Sequence, residues 1–82
     1  MSIEDEVRIN ARGLENPGPR LMVRNVLAEG KQQPLRVVVS STDAVEDLTQ
    51  FFDSIGMDAT VDQVGAEYHL LVDPSSAREE SP

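Results

Sequence analysis

The chain has 82 residues, no cysteine, one histidine and a formal net charge of −8 at pH 7. This length fits one small domain. The lack of cysteine excludes disulfide bonds and cysteine-ligated zinc or iron–sulfur centres, so apolar packing alone must hold the core.

The charge is unevenly distributed. Residues 1–36 carry six basic and five acidic side chains, whereas from residue 37 onward Arg78 alone faces ten acidic side chains. An acidic half repels phosphate backbones, so nucleic acid is not the expected partner. The acidic first residues do not resemble a signal peptide, and no apolar run approaches the roughly 20 residues needed to span a bilayer. We expect a soluble, cytoplasmic protein.

The first part of the chain predicts a strand followed by a helix. Val7, Ile9 and Ala11 alternate with polar residues, which is typical of a half-buried strand. Residues 17–28 show helical periodicity, and Gly30 is the expected left-handed stop. The expected core face of this helix consists of Met22, Val23, Val26 and Leu27.

The remainder predicts a strand, a helix and two more strands. Residues 35–39 are almost all apolar, which favours an interior strand. The second helix should begin at a cap among residues 40–43 and end at Gly56. Its expected core face consists of Val45, Leu48, Phe51, Phe52 and Ile55. Residues 57–64 and 68–73 alternate in polarity, which is typical of strands.

The order of elements is therefore β-α-β-α-β-β. Two amphipathic helices with short connections pack most simply on one face of a mixed four-stranded sheet, which is an α/β (α+β) two-layer sandwich. We assign residues 1–74 to the domain and 75–82 to a disordered tail. An apolar patch around Val38 and Leu71 on the outer sheet face would favour dimers, although the sequence leaves the oligomeric state open.

The segment from residue 9 to residue 19, followed by a helix, resembles the signature of the TusA/SirA-like family, Leu-Asp-Ala-x-Gly-Leu-x-Cys-Pro-x-Pro. The matching motif positions are Gly13, Leu14, Pro17 and Pro19. Asn16 stands where that family has its cysteine. The resemblance covers roughly residues 7–73 and includes the order of elements. One further departure is Ser40-Ser41-Thr42, where relatives often carry an acidic pair and a proline.

The resemblance implies a sulfur relay, in which the family's cysteine accepts a persulfide from a cysteine desulfurase and passes it on. A carboxamide at Asn16 cannot hold a sulfane sulfur. We therefore interpret the chain as a non-catalytic protein-binding or regulatory homologue in a sulfur-relay or related complex. Two alternatives stay open: an auxiliary subunit of a sulfurtransferase whose partner supplies the cysteine, and a small-ligand or RNA-binding module on the same fold.

The motif also suggests roles for individual residues. Asn16 is a favourable N-cap for the first helix, with Pro17 at the first helical position. Arg20 and Arg24 lie four residues apart beside the motif, with Arg12 close in sequence. The resemblance supports their interpretation as a docking patch for an acidic protein partner, because relay partners approach the family's cysteine along this helix. The alternative is an ordinary solvated helix face.

No metal or other cofactor is expected. Asp58, Asp62 and His69 alternate along strands as solvent-facing residues do, which explains them without a metal. Met22 and Met57 are interpreted as core filler.

Overall fold

A computed structural model describes residues 6–30 and 33–74. The elements are β1 (Val7–Asn10), α1 (Gly18–Ala28), β2 (Leu35–Val39), α2 (Thr42–Ser54), β3 (Ala59–Val64) and β4 (Glu67–Val72). The predicted order of elements is confirmed. The predicted tail at 75–82 lies outside the described residues.

The four strands form one mixed sheet in the order β1-β2-β4-β3. β1 and β2 pair in parallel, whereas β4 pairs antiparallel with both β2 and β3. Parallel neighbours need a crossover connection, which α1 provides. The prediction that the apolar run of β2 lies in the sheet interior is confirmed.

The core lies between one sheet face and the two helices. The buried core side chains are Ile9, Ala11, Val23, Leu35, Val37, Val39, Ala44, Leu48, Phe52, Leu70 and Val72. The strand members recur with a period of two and the helix members with the helical period, as each element must do to bury one face. These contacts confirm the predicted two-layer sandwich.

Two apolar side chains that were expected in the core are exposed. Met22 is 36% exposed and Ile55 is 41% exposed. The buried side of α1 is centred on Pro19 and Val23, which turns Met22 toward solvent. Ile55 follows the last residue of α2 as its C-cap and so leaves the helical core face. Met57 packs against the core as predicted.

The outer sheet face does not present the expected apolar patch. Val38 is only 1% exposed and Leu71 is partly buried. Residues of opposite parity on β2 and β4 supply the core, so these two side chains lie on the other face. The basis for expecting dimers through this face is therefore absent.

Polar side chains cross the outer face instead. Arg36 Nε donates to Glu6 Oε1 at 3.0 Å, and Arg36 Nη1 donates to His69 Nδ1 at 2.9 Å. Since a guanidinium only donates, His69 Nδ1 accepts and the ring proton sits on Nε2. This Nε2 lies 3.5 Å from Glu67 Oε1 without forming a hydrogen bond. Arg12 donates from Nε and Nη2 to Glu67 at 2.5 and 3.1 Å.

The Arg12 contact shifts the titration of both partners. The hydrogen bond from Arg12 lowers the pKa of Glu67 below its ordinary value, and the attraction between the charges acts in the same direction. The same hydrogen bond raises the pKa of Arg12. Glu67 is therefore ionised at neutral pH, and its contact with Arg12 links the segment after β1 to β4, two strands that are separated by β2 in the sheet.

Candidate functional site

The motif segment meets the start of α2 at one edge of the sheet. β1 and β2 run parallel, so the segments that follow them emerge at the same edge. The Gly13 N–H donates to Ser40 Oγ at 3.1 Å, and Asn16 Nδ2 donates to the Asp43 carbonyl oxygen at 3.4 Å. These two hydrogen bonds hold the motif segment beside the start of α2, although the residues in each pair are 27 positions apart in sequence.

Asn16 does not cap α1, so that prediction is wrong. The N-cap of α1 is Pro17, and no side chain donates or accepts a capping hydrogen bond there. The peptide bond between Asn16 and Pro17 is cis. The Asn16 amide is exposed and points to the backbone of Asp43 on α2 rather than to the first turn of its own helix.

The start of α1 offers few backbone donors. Pro17 and Pro19 have no N–H, and the Gly18 N–H already donates to the Glu15 carbonyl oxygen at 2.7 Å. A helix start of this kind binds anions poorly because most of the usual N–H groups are missing or occupied.

The other motif residues shape the backbone and the surface. Gly13 has a φ of +76°, a region that other residues avoid. Leu14 lies over Gly18, where an added Cβ would come within 3.3 Å of the leucine side chain. Pro19 is a buried residue in the first turn of α1. The motif therefore builds a turn with Leu14 on its surface, 43% exposed.

The start of α2 is capped as the sequence predicts. Ser41 Oγ accepts a hydrogen bond from the Ala44 N–H at 3.2 Å. Asp43 occupies the first turn, where the positive end of the helix dipole favours a carboxylate. This cap fixes the position of the Asp43 backbone that Asn16 contacts.

Asn16 lines two clefts. One, of about 480 Å³, is lined by Gly13, Leu14, Glu15, Asn16, Ser40, Ser41 and Asp43. The other, of about 220 Å³, is lined by Asn16, Asp43, Glu46, Asp47 and Gln50. They share Asn16 and Asp43, and together we call them the Asn16 groove. Among the described residues, no basic side chain lines it.

The structure does not bring the three candidate arginines together. Arg12 is held by Glu67 on the outer sheet face. Arg20 Nε lies 3.5 Å from Asp47 Oδ2, within the helix layer. Arg24 is exposed, and no residue in the described ranges pairs with it. Only Arg24 presents an uncompensated positive charge on α1.

Sequence reasoning missed an exposed apolar face on α1. Leu21 is 45% exposed and Met22 is 36% exposed. They follow Gly18 by three and four positions, so they continue the surface begun by Leu14 along the same side of the helix. We call Leu14, Leu21 and Met22 the α1 apolar face. The sequence indicates this face through Leu21, an apolar residue of α1 that lies outside the predicted core positions.

The site has no group for covalent sulfur chemistry, since the chain contains no cysteine. Within residues 6–30 and 33–74, no cluster of three or more carboxylates and histidines is arranged to hold a metal ion. No helix in the described part of the chain has the length and apolarity to cross a bilayer. The exposed amide, the groove and the α1 apolar face are suited to binding.

Comparison with known proteins identifies the fold. No protein-family model matches the chain, and neither does any curated protein. A solved structure that does match is the crystal structure of a SirA-like protein from Desulfitobacterium hafniense, with a TM-score of 0.75. The two are 18% identical, and the match covers 82% of this chain and 95% of that one. At this identity the likeness concerns architecture: the chain has the SirA-like fold.

Proposed function

We propose that this chain is a non-catalytic, protein-binding or regulatory protein of the SirA-like fold that acts in a sulfur-relay or related complex. The observation that carries the proposal is the exposed Asn16 amide, which occupies the cysteine position of the motif in a chain without cysteine. The amide cannot take up a sulfane sulfur, so binding is what this surface can offer.

The α1 apolar face supports a protein partner. Leu14, in the turn before α1, and Leu21 and Met22, on α1, expose 43%, 45% and 36% of their surface. A cluster of exposed apolar side chains beside a groove is typical of interaction surfaces, and methionine adapts readily to a partner. Leu14 packs beside Gly18, which restricts this side chain before binding and so reduces the entropy that association must overcome.

The arginines have unequal parts in this proposal. Arg24 is exposed and uncompensated among the described residues, so it contacts the partner directly. Arg20 and Arg12 influence the partner only indirectly, because their charges are already paired with Asp47 and Glu67. Charges at the rim of an interface act mainly on the association rate.

Affinity purification from the organism that encodes this chain tests the proposal. The protein is compared with the double variant Leu21→Asp/Met22→Asp and with Val64→Asp, a control at a valine that is 48% exposed on β3. We expect a partner that is recovered with the parent and with the control and is lost with the double variant. Circular dichroism checks that all three are folded.

Equal recovery with both variants would contradict the proposal. A recovered partner that is a sulfurtransferase with its own reactive cysteine would identify the chain as an auxiliary subunit of that enzyme. Loss of an RNA rather than of a protein from the double variant would favour the nucleic-acid alternative.

A further inference from the structure

The geometry points to a partner segment that places a lysine or arginine side chain in the Asn16 groove, with its aliphatic stem against Leu14. This inference rests on the proposed function, because it concerns the same surface. It corrects the expectation from sequence at the groove itself, which favours a basic side chain, and leaves the acidic part of the partner opposite Arg24.

Most of the carboxylates that line the groove have no positive partner among the described residues. Glu15, Asp43, Glu46 and Asp47 line it. Asp47 is paired with Arg20 at 3.5 Å, but no described cation pairs with the other three. Glu15 and Asp43 line the larger cleft, and Asp43 and Glu46 the smaller one, without compensation by a described cation. Clefts lined by one sign of charge concentrate cations.

The helix dipoles do not offset this charge. The starts of α1 and α2 both lie beside the groove, and each helix terminus is equivalent to roughly half a positive charge. Two such half-charges amount to about one, against three full negative charges. The Gly18 N–H and the Ala44 N–H are in addition already bonded to Glu15 and Ser41. The groove therefore favours a cation over an anion.

The walls of the groove match the two parts of a basic side chain. Leu14 provides an apolar wall in the larger cleft, while Asp43 and Glu46 lie in or next to the smaller one. Lysine and arginine bury their methylene stems on apolar surface and keep the charged head at polar groups. A stem along Leu14 brings the head to the carboxylates that flank Asn16.

Other ligands fit the groove less well than a basic side chain of a protein. The described residues include no cluster suited to a metal ion, as judged from their carboxylates and histidine. The exposed Leu14 adds an apolar contact that a hydrated inorganic cation does not use. Phosphate-bearing partners are repelled by the same carboxylates. A basic segment of a protein satisfies both the charge and the apolar wall.

Nuclear magnetic resonance on the isotope-labelled, full-length chain tests this inference with defined probes. The probes are a capped peptide of alternating leucine and lysine and its twin with glutamate in place of lysine. We expect the lysine peptide to shift the amide signals of residues 13–16 and 43–47, with smaller changes on β3. The glutamate peptide should leave all of these signals in place.

Matched charge variants distinguish the effect of the groove carboxylates on binding from the effect of the protein's overall negative charge. Glu15→Gln/Glu46→Gln and the control Asp58→Asn/Asp62→Asn each remove two negative charges. We expect the groove variant to weaken binding of the lysine peptide about tenfold, which corresponds to the loss of two exposed charge pairs. The control variant should weaken this binding by less than about twofold. Equal weakening in both variants, or signal changes spread evenly over the protein, would overturn the inference.

The outcome is distinguishable from failure of the proposed function. If the partner from the affinity purification still depends on Leu21 and Met22 but the groove variant binds it as the parent does, the inference is wrong and the proposed function stands. If that partner is lost from the groove variant as well as from the double variant, and its binding weakens with salt, the inference is supported.

Discussion

Replacing Asn16 with cysteine should give a folded protein whose thiol is not activated. The Asn16 side chain is exposed and makes one hydrogen bond, 3.4 Å long, to the Asp43 carbonyl oxygen. It does not cap α1. An exposed, long hydrogen bond contributes less than the typical value of about 1 kcal/mol, so Asn16→Cys should lower the free energy of unfolding by less than that amount.

Two influences on the pKa of the introduced thiol oppose each other. The positive end of α1 lowers it, with an effect of about 0.3–1 kcal/mol, and the engaged Gly18 N–H favours the lower end of this range. The carboxylates of Glu15, Asp43 and Glu46 raise it, and exposed charge pairs act with about 0.2–1 kcal/mol each. The three carboxylates together amount to about 0.6–3 kcal/mol, which exceeds the lower end of the dipole effect at about 0.3 kcal/mol, so the thiol pKa should lie above its ordinary value of about 8.5.

The ultraviolet absorbance of the thiolate, followed against pH at low ionic strength, measures this pKa. Adding Glu46→Gln to Asn16→Cys should lower the thiol pKa by a few tenths, because one nearby negative charge is removed. A thiol pKa of about 7 or below in Asn16→Cys would refute the reasoning, since it would mean that the helix dipole outweighs the acidic groove.

The prediction of an unactivated thiol also predicts the result of a persulfide-transfer assay. With a cysteine desulfurase and labelled cysteine, neither the parent nor Asn16→Cys should acquire label that dithiothreitol releases. The parent has no thiol, and the variant presents a weakly ionised thiol in an acidic groove. A SirA-like carrier that keeps its cysteine serves as the positive control. Efficient loading of Asn16→Cys would mean that the surface is still that of a carrier.

Three further changes test packing, charge and docking. Leu48→Ala removes a fully buried side chain of α2 and should lower the free energy of unfolding by about 2–5 kcal/mol in urea titrations. The control Leu21→Ala, on the exposed face, should lower it by less than about 0.5 kcal/mol. Equal losses in the two variants would contradict the described core. Because the pKa of Glu67 is lowered in the folded state, its ionised form stabilises the fold above the ordinary glutamate pKa of 4.5, and this contribution is lost as the pH falls through the folded value. The stability difference between the parent and Glu67→Gln should therefore narrow below pH 4.5, and a constant difference would argue against the Arg12 contact. Arg24→Glu should slow association with the recovered partner by about tenfold at low salt, and an unchanged rate would return Arg24 to an ordinary solvated position.

Periodicity in the sequence predicted the elements because the information is local. The alternation in β1, the apolar run of β2 and the serine that caps α2 each depend on neighbours within a few positions. The same reasoning placed Met22 and Ile55 wrongly, since the exact direction of a helix face and the end of a helix depend on what packs against them. Propensity alone does not contain that information.

The candidate site depended on contacts between distant residues. The Arg12 pair with Glu67 spans 55 positions, and the contact of Asn16 with the Asp43 backbone spans 27. Asn16 is a good N-cap by composition, yet the neighbouring α2 backbone competes for its amide. The acidic groove likewise exists only because parallel strands bring residues 13–16 and 40–47 to one edge.

The most direct test of the central claim, that the face of α1 beside Asn16 binds a protein, is photo-crosslinking in the organism that encodes the chain. A photoreactive phenylalanine analogue replaces Leu21 in one strain and Val64 in another, two side chains of nearly equal exposure at 45% and 48%. We predict a discrete adduct with one protein from position 21 and none from position 64. Adducts of equal yield at both positions, or an adduct from position 64 alone, would contradict the account.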